Sequence, residues 1–172
     1  DLHGGARDLI FPHHEAEIAQ EETISGKKPL AAIWMHTGFL TVEGRKMSKS
    51  LGNFITIRGF LKDYPADVLR ILTLNHHYRS PLTYSKASAE AALRTLQGLK
   101  DFLEKLAFAA VERRLKQKIF DGAYKDKLKD AERNFELALE DDFNTPKALA
   151  LILNLMSVLQ NIWKLCPESA KE

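Results

Sequence analysis

The chain has 172 residues, a net charge of +2, 45% hydrophobic and 28% charged residues, the balance of a globular protein with one domain or two small ones. Its one cysteine, Cys166, excludes an internal disulfide framework and fits a reducing, cytoplasmic setting. No apolar run reaches the roughly 18 residues that span a bilayer, the polar, glycine-containing start does not read as a signal peptide, and the modest charge permits nucleic-acid contact without arguing for it.

In chain order, "LHGGARDL" (2–9) reads as a loop whose glycines allow tight turning. Pro12 suits the first turn of a helix, where a missing N–H costs nothing. That helix runs through "HHEAEIAQEETI" and stops near Ser25-Gly26. "AAIWMHTGFLTV" (31–42) carries β-branched and aromatic residues and reads as a strand or a tight strand pair. "EGRKMSKSLGN" (43–53) is polar with two glycines and reads as a loop. Beyond residue 63 the chain is glycine-poor and helical in pattern. Asp63 can cap a helix starting near Pro65 that turns Val68, Leu69 and Leu72 inward. Leu93, Leu96, Leu99, Leu103 and Leu106 keep helical spacing, as do Leu128, Ala131, Phe135 and Leu139. Pro146, behind "DDFNT", opens a last helix with Leu149, Ile152, Leu153, Met156, Leu159 and Trp163 inward. Four such helices predict a bundle. The charged stretch 112–133 reads as a solvated face, with RNA phosphate as the sharper alternative.

Two stretches carry chemistry. In "FPHHEAE" (11–17), His13 and Glu17 are four apart on the predicted helix and share a face. An imidazole and a carboxylate so placed can bind one zinc ion, whereas His14 and Glu15 point elsewhere. Zinc wants four ligands and only two are local, so a helix start whose acidic residues favour the dipole stands beside the metal reading. In "KMSKS", Lys46 to Ser50, two lysines three apart with two hydroxyls and nearby Gly52 make a cationic loop able to fold over a polyphosphate. Its charge would count most where negative charge develops on a leaving pyrophosphate. It is not a Walker loop.

"KMSKS" behind "IWMHTGFLTVEGR" resembles the class I aminoacyl-tRNA synthetases. "DLHGGARDLIFPHHEAEIAQ", "NHHYRSPLTYS" and "DDFNTPKAL" narrow the resemblance to the cysteinyl-tRNA synthetases, over nearly the whole chain. It implies a mixed fold: the end of a class I α/β (Rossmann-like) catalytic domain over 1–62, followed by an all-α helical bundle of DALR-like, tRNA-contacting type over 63–172. The activity implied is ATP-dependent ligation of L-cysteine to its tRNA, with ATP and magnesium. By the resemblance His13 and Glu17 are zinc ligands, the remaining two being cysteines upstream; His3 lies beside the bound thiol; and Lys46, Met47, Ser48, Lys49 and Ser50 contact ATP, with Lys49 the main phosphate contact and Lys46 the weaker one. Ala6 stands where the family has a third glycine, which matters only if that position needs a positive φ. Opening on Asp1, the chain reads as part of a longer protein, expected to be inactive and metal-free alone. A related cysteine–amino-sugar ligase and a non-catalytic helical tRNA-binding module are the alternatives.

Overall fold

The computed structural model describes residues 1–47, 52–111 and 122–164. By contact they divide into two units, Asp1–Asp63 with Tyr78–Ser88, and Tyr64–His77 with Ala89 onward.

The first unit starts with a β–α–β turn of chain. Strand β1 (Leu2–Ala6) pairs in parallel with β2 (Ile33–Thr37), in the register His3↔Trp34 and Gly5↔His36. The glycine-rich opening is therefore a strand, not the predicted loop. Neither Gly4 nor Gly5 has a positive φ; the smaller residue serves close approach, since a Cβ on Gly5 would lie 2.7 Å from the His14 ring. Ala6, at φ −80° and ψ 158°, is ordinary extended backbone, so the missing third glycine leaves no strain. A helical turn at Arg7–Leu9 and an irregular helical stretch over Ile10–His14, broken by extended backbone at Phe11, lead into α1 (Glu15–Ser25). Gly26, at φ 66°, ends α1 where expected, its N–H bonding the Glu22 carbonyl at 3.0 Å. The Glu22 carboxylate then ties down the connection to β2, accepting from the Leu30 N–H at 3.0 Å and pairing with Lys28 at 3.6 Å.

"AAIWMHTGFLTV" holds two strands, as one reading had it, but they join different sheets. Gly38 separates β2 from β3 (Leu40–Val42): a Cβ there would sit 2.3 Å from the Ser80 carbonyl oxygen. Glu43 and Gly44, both at positive φ, turn β3 back into β4 (Arg45–Lys46). On its other edge β3 pairs in parallel with β5 (Leu82–Tyr84), so the sheet order is β4-β3-β5. Helix α2 (Ile57–Asp63) is capped by Thr56, whose hydroxyl accepts the Gly59 N–H at 2.9 Å, and its buried Phe60 packs edge-on against Tyr84.

The second unit is helical. Helix α3 (Ala66–Leu74) starts behind Pro65 with no side-chain cap; Asp63 ends α2 instead of capping α3. Val68 and Leu72 are buried as predicted and Ile71 joins them. Helix α4 (Lys86–Val111) buries Ala89, Ala92 and Leu96 but leaves Leu103 exposed. Helices α5 (Gly122–Glu140) and α6 (Thr145–Lys164) form a packed hairpin. In its turn Asp142 and Phe143 both take φ 54°, and Asn144 caps α6 by accepting the Lys147 N–H at 3.2 Å. Ile152, predicted inward, lines an open apolar groove with Leu128, Phe135 and Leu155. Most of the charged stretch at 112–133 lies outside the described residues.

Candidate functional site

The alternation of β1 and β2 puts His3 and Gly5, with their register partners Trp34 and His36, on one face of the two-stranded sheet. The start of α1 lies over that face. Because Gly5 carries no side chain, the His14 ring settles against it and is 3% exposed. His14 is edge-on to His3, with centroids 5.0 Å apart, and tilts against Trp34 at 5.1 Å and His36 at 5.0 Å. Trp34 and His36 stack on each other. His14 Nδ1 lies 2.9 Å from His36 Nε2, a hydrogen bond whose donor depends on the tautomers.

Glu17 is the centre of the polar cluster. Its Oε1 lies 3.3 Å from Nε2 of His13, one turn earlier, and its Oε2 lies 3.0 Å from Nε2 of His3 on the sheet. Oε2 is buried, yet its approach to His3 lacks hydrogen-bond alignment, and it has no hydrogen-bond partner among the described residues. A buried carboxylate oxygen without a donor is costly, and a cation beside it would remove that cost. One donor atom each from His3, His14 and Glu17 lies within 4.8 Å of the others. Imidazole and carboxylate are donors of the kind that zinc takes. Burial, partly offset by the Glu17 charge, lowers the His14 pKa from its ordinary value, which favours the neutral ring.

The structure brings His3, His13 and Glu17 together. His13 is the exposed member, at 59% of its side chain, on the far side of the carboxylate from His3. In the phosphate-loop motif, Lys46 ends β4 and Met47 follows it; Ser48, Lys49 and Ser50 lie outside the described residues.

The family tRNA synthetases class I (C) catalytic domain matches residues 1–94. The chain belongs to that family. A DALR domain match over 134–162 falls on α5 and α6. A cysteine–tRNA ligase from Aquifex aeolicus is 46% identical over 164 residues, covering 94% of this chain and 33% of that protein. A cysteine–tRNA ligase from Thermococcus gammatolerans is 44% identical over 161 residues, covering 92% of this chain and 34% of that protein. The chain thus spans about a third of the length of the curated relatives it matches. Mycobacterium tuberculosis methionyl-tRNA synthetase, solved in complex with methionyl-adenylate, shares the fold at a TM-score of 0.72 and 21% identity, over 99% of this chain and 36% of that one. The LeuRS in a ternary LeuRS–tRNA–LeuAMS complex from Agrobacterium radiobacter gives a TM-score of 0.69 at 20% identity, over 94% of this chain and 22% of that one. The fold is the end of a class I α/β catalytic domain followed by a helical bundle.

In this class I synthetase chain the residues that sequence reasoning missed are His14, Trp34 and His36. His14 was set aside as pointing away from Glu17, but three residues along a helix share a face as four do. Trp34 on a strand of apolar and aromatic residues reads as core, and His36, on the strand leading to the phosphate loop, as a lining residue of the nucleotide pocket. Their spacing of two on a strand was the available signal that both face the same way.

Proposed function

We propose that the chain is the part of a cysteine–tRNA ligase that selects the thiol and holds the departing pyrophosphate. The single observation that carries this reading is Glu17, with one carboxylate oxygen against His13 and the other buried beside His3 without a hydrogen bond. Glu17 and His13 are the residues that would hold zinc. Bound there, the metal supplies a borderline-soft Lewis acid that prefers a thiolate to the hydroxyl of serine. His3, reaching the same carboxylate from β1, orients the sulfur end of the substrate.

On this reading Lys49, with Lys46 the weaker contact, supplies positive charge to the phosphates of magnesium-bound ATP, and Met47, Ser48 and Ser50 belong to the same ATP-binding motif. The cysteine carboxylate attacks the α-phosphate in line, and pyrophosphate leaves with the charge that these lysines neutralise. A hydroxyl at the 3′ end of the tRNA then attacks the carbonyl of the adenylate, taking the cysteinyl group as an ester and releasing AMP. On this reading residues 1–62, together with the returning segment Tyr78–Ser88, belong to the catalytic domain and the rest of 63–172 to the helical domain that contacts the tRNA, in a cytoplasmic enzyme.

The test is a chimera in which this chain replaces the matching third of the Aquifex aeolicus ligase. Cysteine-dependent ATP–pyrophosphate exchange is expected to persist. Glu17→Gln in the chimera should lower kcat/KM for cysteine by at least about 100-fold, the scale of a lost metal–ligand interaction. A folded chimera with no exchange, or one indifferent to Glu17→Gln, overturns the reading.

A further inference from the structure

We propose that Arg7 and Arg79 form a clamp for a phosphate of the tRNA backbone, at the carboxyl ends of the parallel strands β1 and β2. The clamp is separate from the zinc and ATP chemistry above, and the identity of its ligand rests on the ligase reading. Arg7 follows Ala6, the last residue of β1, and Gly38 follows Thr37, the last of β2. In α/β sheets the crevice outside such strand ends is where ligands bind. The segment that carries Arg79 is pinned there by its main chain. Gly38 donates its N–H to the Tyr78 carbonyl at 2.7 Å, and a Cβ on Gly38 would stand 2.3 Å from the Ser80 carbonyl oxygen. Between those two contacts lies Arg79, whose own carbonyl accepts a long hydrogen bond from Arg7 Nη2 at 3.5 Å. The Arg79 guanidinium lies over the Tyr78 ring, 5.0 Å from its centroid, a cation–π contact that restricts where the charge can point. All of these residues belong to the first unit.

Charge points to an anion as the ligand. Both arginines are exposed. Arg7 has no carboxylate partner among the described residues, and Asp8, next to it in the chain, makes no ion pair there. The Arg7 guanidinium therefore touches the backbone of the residue that carries a second cation, with nothing acidic to neutralise it. Like charges so placed repel, and an anion held by both removes that cost. A guanidinium offers a planar fork of N–H donors that fits a phosphate. On the ligase reading two substrates carry phosphate. ATP is served by the lysine motif at Lys46 to Ser50, which leaves the tRNA backbone for the arginines.

The experiment uses the chimera described above and a fluorescent transcript of the Aquifex aeolicus tRNA for cysteine, with binding followed by anisotropy over a series of salt concentrations. Arg7→Gln and Arg79→Gln should each weaken tRNA binding roughly 10-fold, the scale of a lost charge-assisted hydrogen bond. The double variant should reduce the slope of log affinity against log salt by about one, the share of a single phosphate. Arg7→Lys, which keeps the charge, should restore that slope, a recovery that a purely structural role would not produce. Cysteine-dependent ATP–pyrophosphate exchange needs no tRNA, so in the same variants it reports folding and the use of ATP. Should Arg79→Gln lose exchange by failing to fold, Arg7→Gln and Arg7→Lys still decide the matter. A KM for ATP that rises as far as the tRNA affinity falls assigns the arginines to ATP and overturns the clamp. Binding and salt slope indifferent to Arg7→Gln, with exchange intact, overturn it while leaving the ligase reading standing. A parent chimera that folds without exchange overturns the ligase reading, and the tRNA as the clamp's ligand with it.

Discussion

At the scale of single residues, the site is decided as much by a missing side chain as by those present. Gly4 and Gly5 are neighbours on β1, yet their surroundings differ. A Cβ on Gly4 would meet the Met35 carbonyl oxygen at 3.7 Å, an ordinary contact, whereas on Gly5 it would meet the His14 ring at 2.7 Å and the Leu9 side chain at 3.1 Å. Gly5→Ala should therefore cost about 1–3 kcal/mol, the range for overpacking a filled site. Gly4→Ala should stay within about 1 kcal/mol. Urea denaturation of the two variants tests this, and equal costs would contradict the packing argument. The His13–Glu17 pair was legible because a spacing of four on a helix is a local property. The contacts of His14 with Gly5 and His36 were not, since they depend on the parallel register of strands about thirty residues apart.

At the scale of elements, helices were easier to read than strands. The end of α1 and the start of α6 are set by local chemistry, and both fell where the sequence placed them. Gly26→Ala should cost about 1 kcal/mol, because alanine must take φ 66° there. Asn144→Ala should cost a similar amount by removing the acceptor for the Lys147 N–H. Thermal unfolding by circular dichroism would register both as lowered midpoints. Strand β1 was hidden by its composition, since glycine is poor strand material and it is ordered here by β2 and by the ring resting on it. Asp63 was misplaced because a carboxylate ahead of a proline is a common helix start, and nothing local reveals that α2 already ends there.

At the scale of the whole molecule, about a third of the length of its relatives is present, and this sets what the chain does unaided. Alone, it is expected to show no cysteine-dependent ATP–pyrophosphate exchange, because on the proposed reading it carries only two of the four zinc ligands. Exchange above background by the isolated chain would contradict this. A change of texture near residue 63, from glycine-rich to helical, was visible in the sequence. The return of Tyr78–Ser88 to the first unit was not. It follows from β5, three residues long, joining β3 across some forty residues of chain, and from Gly38, which admits the Ser80 backbone.

That returning segment also fixes an order of events during synthesis. The hairpin of β3 and β4 is complete once Lys46 leaves the ribosome, but the strand that flanks β3 on its other side ends at Tyr84. By then α3, which belongs to the second unit, has already been made. The first unit therefore cannot finish folding before synthesis of the second has begun, and a pause in translation between residues 46 and 82 would leave one edge of β3 open to pairing with other nascent chains.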